Sequence, residues 1–437
     1  MLRVAAQRLE AQELIALAGA ALIALLPVPA LGQTPPAVTV VGDPALRARA
    51  EALIPVLAGK PGYATLFAVS FRQAVPVAQF DALTRQLRET LGQPRTIDVV
   101  QAHGRWAATV VVGYERGSAT MLLAVDATAP HAISGLRITG SERRGDDAAA
   151  VQVAVAALPG VAQIGVYALD GAQPVPVFES KGDIPAPLGS AFKLWVLAEV
   201  ARQVSAGERR WDEVVPVGKP SLPSGILQGW PAATPVTVQT LATLMIAISD
   251  NTATDTLMTL LGRDKVDAMA ARFGASGPVL TTREAFAIKG DPVLTAAWAK
   301  GDAAVRSALL TAQGGRIASA PLDPMIFSGK PLAIDSVEWF ASPRDMARLL
   351  AHLRDAGPVV RAIMAVNHGV DPVTGQRFGY VGFKGGSEPG VIALNLLAQT
   401  KTGRWYAVTG AWHRDDAGVD EARFVALVTR ALALVAE

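Results

Sequence analysis

Ser190 and Lys193 stand three residues apart in Pro187-Leu188-Gly189-Ser190-Ala191-Phe192-Lys193, the one Ser-x-x-Lys in the chain. On a helix, residues at this spacing share a face, so an amine would lie beside a hydroxyl as base beside nucleophile. A capping serine followed by a solvated lysine gives the same pattern, so the pair gains meaning only from partners elsewhere. A second run spans Leu241 to Asp255; Val238 just ahead of it joins Leu241, Leu244, Met245 and Ile248 in one apolar stripe, after which comes Ser249-Asp250-Asn251. The stripe predicts a buried helix that presents the polar triplet from its end. A third run is Gly382-Phe383-Lys384-Gly385-Gly386-Ser387. Two glycines after a lysine let the backbone approach a ligand closely while one cation points into the site. Lys401-Thr402-Gly403 offers a competing cation, but it falls between strand-like runs at 391–399 and 405–413 and reads as a hairpin turn. Lys384 is therefore the candidate.

Composition removes several other chemistries. The chain has no cysteine, which excludes disulfides, a thiol nucleophile, cysteine-ligated zinc and a lipoprotein anchor. His103, His131, His352, His368 and His413 show no spacing that places two on one helical turn, so no metal and no cofactor are expected. A formal charge of +2 without basic blocks gives nucleic acid no electrostatic footprint. With 51% apolar and 18% charged residues over 437 positions, the expectation is two folded domains after an N-terminal segment.

Residues 1–32 carry Arg3 and Arg8, an apolar run over 14–26, and Val28-Pro29-Ala30-Leu31-Gly32. This resembles a secretory signal cleaved after Gly32, although Glu10 and Glu13 are unusual in such a leader. The apolar run is short and Pro27 and Pro29 interrupt it, so no stable membrane span is expected once the signal is removed, and the protein is expected in the periplasm or secreted. Residues 33–42 read as a linker. Over 43–140, a helix from 43 that Pro55 would kink or end early, a second at 76–91 and four short strands at 96–101, 105–114, 118–125 and 133–139 describe a small α+β domain. Its arrangement resembles the ketosteroid-isomerase-like fold, in which a curved, cone-like sheet wraps a helix. Asp81 and Asp98 are its candidate general bases, though lone acids on a small domain are usually solvated. A polar boundary at 140–147 precedes a domain over 148–437: helix 148–158, hairpin 163–169 and 175–179, a long helical middle, strands 390–400 and 405–413, and helix 418–435. That order predicts an antiparallel sheet assembled from both ends of the domain and flanked by helices, with an all-helical lobe facing it, so the fold class is α+β.

Ser-x-x-Lys, Ser-Asp-Asn and a Lys-x-Gly strand in this order resemble the penicillin-recognising serine hydrolases, and Ile246-Ala247-Ile248-Ser249-Asp250-Asn251-Thr252-Ala253 looks most like class A β-lactamases. Ser342-Pro343-Arg344-Asp345-Met346-Ala347-Arg348-Leu349-Leu350 is similar to that family's helix ahead of the last sheet strands. With the upstream domain, the chain resembles two-domain relatives found in clavulanic-acid gene clusters. The resemblance implies Ser190 as nucleophile, Lys193 as acylation base and Ser249 as proton relay. It implies Asn251, Lys384, Gly385, Gly386 and Ser387 as substrate-binding positions, with the Ser190 and Ser387 N–H groups forming an oxyanion hole. The implied partner is a small β-lactam or related acyl substrate. The chain departs from the family in three places. No Glu-x-x-Leu-Asn occurs, and Glu284 in Thr281-Thr282-Arg283-Glu284 is the acid nominated to activate the deacylating water, against an Arg-Glu surface pair. The following stretch, 289–332, is longer than the corresponding loop and is expected to roof the cleft. Gly385 replaces a threonine, and Ser387 would supply the missing hydroxyl. Two alternatives stay open: a peptidoglycan D,D-peptidase or esterase sharing the acyl-enzyme route, and a non-catalytic ligand-binding module.

Overall fold

The computed structural model describes residues 42–436 apart from 144, 222 and 322–328. The expected leader (1–32) and nearly all of the linker lie outside the described residues. The chain divides into two compact units, one holding 42–146 with Asp371–Thr374, the other Asp147–Val370 with Gly375–Glu437. No helix among the described residues is long and apolar enough to cross a membrane.

In the first unit, helix α1 (Pro44–Leu57) starts at Asp43, whose carboxylate accepts the Ala45 N–H. It runs through Pro55, which falls in its last turn, where the lost N–H costs one ladder bond and no following turn has to be accommodated. A second long helix, α2 (Val77–Leu91), and two short ones precede an antiparallel meander of β1 (Pro94–Gly104), β2 (Ala107–Tyr114), β3 (Gly117–Val125) and β4 (Ile133–Arg143) in the order β1-β2-β3-β4. Strand β3 alternates strictly, with Ala119, Met121, Leu123 and Val125 buried and the residues between them half-buried, as a sheet with one covered face requires. Leu46, Ala50 and Leu53 of α1 join the same apolar cluster. Phe67 is its aromatic hub, with ring centroids 4.6 Å from Phe71, 4.9 Å from Tyr63 and 5.2 Å from Phe80. Asp81 and Asp98 are both exposed.

The second unit is built on a five-stranded antiparallel sheet. Helix α3 (Ala148–Ala156), capped by Asp147, leads into the hairpin β5 (Val161–Ala168) and β6 (Val175–Ser180). The remaining strands come from the far end of the chain: β7 (Phe378–Glu388), β8 (Val391–Thr400) and β9 (Trp405–His413), giving the order β7-β8-β9-β5-β6. Lys401-Thr402-Gly403 is the exposed turn between β8 and β9.

Strand β8 is buried along nearly its whole length because both faces of the sheet are covered. Ile392, Leu394, Leu396 and Ala398 face a cluster with α3 and the final helix α11 (Glu421–Ala433), while Ala393 and Leu397 face the helical side. That side comprises α4 (Lys193–Ser205), α5 (Val238–Ala247), α6 (Asn251–Leu261), α7 (Thr282–Lys289), α8 (Pro292–Lys300), α9 (Ala303–Ala312) and α10 (Pro343–Asp355), together with the helix Arg263–Ala271 and several shorter turns. The segment expected as a loop over 289–332 is largely helical where described, through α8, α9 and Gly314–Ser319. Its Ala-rich sequence favours helix, and Asp291 and Asp302 cap the two longer pieces.

Leu396 is 1% exposed in the cluster that holds Phe424 and Val408. Leu396→Ala is expected to cost about 2–5 kcal/mol, read as a lower urea midpoint at an unchanged slope.

Candidate active site

The Ser190 segment is held by backbone on two sides. Ala186–Pro187 pairs with Phe340–Ala341 as a two-residue antiparallel ladder, and Leu188 N–H donates to Trp339 O at 2.9 Å. The chain then turns at Gly189, whose φ of +48° lies in the left-handed region, into a 3₁₀ turn (Gly189–Phe192) that continues as α4. Phe192 stacks on Trp339 with centroids 3.9 Å apart and planes 4° apart, which pins the far end of the turn. Ser190 is half-buried at the start of this turn, and Lys193, one turn on, is fully buried.

Strand β7 presses its backbone against that turn. A Cβ placed on Gly386 would lie 2.3 Å from both Leu188 O and Ser190 N, and one on Gly189 would lie 3.1 Å from Gly386 C and Ser387 N. A side chain is excluded at Gly386 and strained and tightly crowded at Gly189, so the two glycines bring the Ser190 and Ser387 backbones side by side.

Helix α5 ends at Ala247, and Ser249 adopts φ +59°, a strained conformation for a residue with a Cβ. The kink is over-determined. Asp250 caps α6 by accepting the Ala253 N–H at 2.8 Å, and its other oxygen accepts Ile226 N–H at 2.7 Å and Leu227 N–H at 2.9 Å. Ser224 Oγ donates to Ser249 O at 2.7 Å, and Asn251 N–H donates to Ser224 O at 3.0 Å. The middle member of the triplet is thus a fastener, and the outer two are left to meet the lysines.

Lys193 Nζ uses its three donors on Ser249 O at 2.6 Å, Ser249 Oγ at 3.0 Å and Asn251 Oδ1 at 2.7 Å. Lys384, 3% exposed, reaches the same Ser249 Oγ at 3.1 Å and also bonds Gly385 O. Burial, and then the charge of Lys384, hold the Lys193 ammonium well below the ordinary lysine range, against weaker support from Asp255 and Asp250. Burial alone lowers Lys384 to about 7. Near neutrality this pair does not carry two full charges, and a neutral amine next to Ser249 is a proton acceptor.

Of the other residues singled out in the sequence, Gly385 has no room for a hydroxyl-bearing side chain while Phe383 stays in place, since a Cβ there would lie 2.7 Å from the Phe383 ring. The Ser387 hydroxyl donates to the Glu421 carboxylate. Glu284 is engaged elsewhere. Both its oxygens pair with Arg263, at 2.6 and 2.7 Å, and one also accepts the Thr281 N–H at 2.8 Å within a capping box. Both contacts come from the one nitrogen Arg263 Nη2, and activating a water would require breaking that pair.

The sequence reading missed Asp255, whose carboxylate accepts Thr282 N–H at 2.8 Å and Arg283 N–H at 3.0 Å and so ties α6 to the start of α7. Burial raises its carboxyl above the usual range. Its position four residues after Asn251, on the same helical face, was the available signal. It also missed Lys289, Glu338 and Glu388, which meet behind the Ser190 turn and carry no local signature. Among the described residues no group of three or more His, Asp or Glu is placed to hold a metal.

Residues 148–364 match the model of the Beta-lactamase enzyme family (Beta-lactamase2). Among solved structures, a mutant of PBP-A in an acyl-enzyme complex with penicillin G aligns at 18% identity over 65% of this chain and 93% of its own, with a TM-score of 0.45. The β-lactamase from Sphaerobacter thermophilus aligns at 22% identity over 66% and 94%, TM-score 0.45. A variant of the last common ancestor of Gram-negative bacteria β-lactamase class A aligns at 17% over 65% and 96%, TM-score 0.46. No curated protein matches the chain.

Two substitutions separate the site from its supports. Gly386→Ala forces β7 off the Ser190 turn and is expected to slow labelling of Ser190 by a serine-reactive fluorescent probe by about a hundredfold. Glu284→Gln is expected to lower stability by roughly 1 kcal/mol in thermal melts while the labelling rate stays within about twofold.

Proposed function

We propose that this chain is a serine hydrolase of β-lactamase type, forming an acyl-enzyme at Ser190 with a β-lactam or a related amide or ester. The observation that carries the reading is the convergence of Lys193 and Lys384 on Ser249 Oγ beside the Ser190 turn. The match of 148–364 to the family model supports the same class. In this reading Ser190 Oγ attacks the substrate carbonyl carbon, its proton passes to neutral Lys193, and the carbonyl oxygen takes the developing charge between the Ser190 and Ser387 N–H groups. The carbon–nitrogen bond then breaks, and Ser249 hands a proton to the leaving nitrogen while taking one back from protonated Lys193, whose Nζ lies 3.0 Å from its Oγ. Asn251 orients Lys193 and a substrate amide, and Lys384 meets the substrate carboxylate. Glu284, held by Arg263, has no part in this assignment. The leader reading of 1–32 makes the protein periplasmic or secreted.

The engagement of Glu284 favours a second reading of the same chemistry, in which release of the acyl group is slow, as suits a D,D-peptidase. Comparing nitrocefin turnover with hydrolysis of a D-Ala-D-Ala peptide separates the two.

Incubation with a fluorescent penicillin followed by mass spectrometry is expected to give an adduct on the Ser190 peptide that Ser190→Ala abolishes. An unlabelled wild type would sink the reading and leave a non-catalytic binding module. The acylation rate constant divided by the half-saturating concentration, for a substrate bearing a carboxylate, is expected to fall as pH rises past about 7, where free Lys384 loses its proton and its attraction for the anion.

A further inference from the structure

A second buried ionic group lies directly behind the Ser190 turn. Lys289 ends α7, Glu338 precedes the short strand Phe340–Ala341, and Glu388 ends β7. Their side chains are 1%, 1% and 10% exposed. Lys289 Nζ stands 3.4 Å from Glu338 Oε1 and pairs with Glu388 Oε1. Glu338 turns its other oxygen to the backbone, accepting Gly189 N–H at 3.0 Å and its neighbour's Trp339 N–H at 3.1 Å.

Two carboxyl groups against one ammonium would leave a net negative charge in the interior. Burial and then repulsion from Glu338 hold the Glu388 carboxyl well above the usual range, and the two carboxyls are hydrogen-bonded to each other. With one proton retained between them the triad is neutral. Even so, a buried ionic triad is no more stabilising than apolar packing of equal volume, so stability alone does not account for it.

Its attachments do. Gly189 immediately precedes Ser190, and Glu388 immediately follows Ser387. The triad therefore grips each segment one residue outside the N–H group that faces the other across the Gly189–Gly386 contact. No side chain separates the two segments there, so their spacing is set by what holds them from outside. Lys289 adds α7, the helix that Asp255 anchors to α6.

We propose that Lys289, Glu338 and Glu388 are positioning residues for acyl transfer, fixing the spacing between the Ser190 and Ser387 N–H groups that receive the carbonyl oxygen. The proposal rests on the acyl-enzyme reading of Ser190. It acts on the transition state, where charge appears on that oxygen, and leaves ground-state binding of the substrate to Lys384 and Asn251.

The test is the rate constant for acylation by a fluorescent penicillin at saturation, measured together with the half-saturating concentration. Glu338→Asp keeps the charge but shortens the reach to Gly189 N–H; it is expected to lower the rate constant at least about tenfold with the half-saturating concentration within about twofold. Glu338→Gln keeps an acceptor at full reach, and Glu388 can then ionise against Lys289 so that the triad stays neutral; it is expected to recover most of the loss. A folded Glu338→Asp variant that acylates at the wild-type rate, or one whose loss lies wholly in the half-saturating concentration, overturns the proposal. Should Glu338→Asp not fold, Lys289→Met is read in the same way, with the same tenfold loss expected. If neither folds, the triad is a stability element and the proposal is overturned. A wild-type protein that is never labelled at Ser190 overturns the acyl-enzyme reading and this proposal with it, whereas a labelled wild type with indifferent variants overturns this proposal alone.

Discussion

Two lysines buried side by side and sharing one hydroxyl are the constraint around which the second unit is built. Lys193 and Lys384 have lost the water that would stabilise their charges, and the charge of Lys384 further lowers the tolerance for charge at Lys193. The acceptors at hand are Ser249 O, Ser249 Oγ, Asn251 Oδ1 and Gly385 O, all of them neutral groups that can bind an amine or an ammonium. Such an arrangement survives only if the chain cannot relax away from it. The Asp250 cap, the Ser224 bonds and the backbone contact at Gly386 supply that rigidity, and the positive φ at Ser249 measures the strain they hold.

The site shows a division between groups that touch the lysines and groups that hold them. Asp250 has the charge for proton chemistry, yet its two oxygens are spent on three backbone N–H groups. Glu284 is spent likewise on Arg263 and the start of α7. These two carboxylates fasten helices, and the groups left to meet one another at the centre of the site are amines and hydroxyls. Gly385 fits the same economy: the Phe383 ring lies where a side chain at 385 would begin, so the strand edge keeps its backbone free and its hydroxyl one residue pair further on, at Ser387, turned to Glu421.

What could be read in advance followed the range of each interaction. Helix α5, the Ser249 triplet and the turn at Lys401 were legible because periodicity, capping and hairpin chemistry act over a few residues. The strands of the second unit were legible as apolar runs bounded by turns. The course of 289–332 was not, because its alanines favour helix while its glycines and prolines oppose it, and no sharp amphipathic stripe decides between them. Lys289, Glu338 and Glu388 were invisible for a different reason: each looks like a surface charge in its own neighbourhood, and only tertiary packing removes water from all three. The role expected of Glu284 came from its distance after Ser249, and distance along the chain carries no information about the guanidinium that holds it.

The sheet that carries β7 is closed by pairing β9 with β5, so its hairpin at one side is made long before the strands at the other. Every contact that presses β7 onto the Ser190 turn depends on that late, long-range closure, which is slow to form because the loop entropy is lost before the pairing is gained. During synthesis the Ser190 segment therefore exists for an interval with no opposing strand. The close approach of the Gly189 and Gly386 backbones therefore exists only once the sheet is complete, however early the Ser190 turn itself is made.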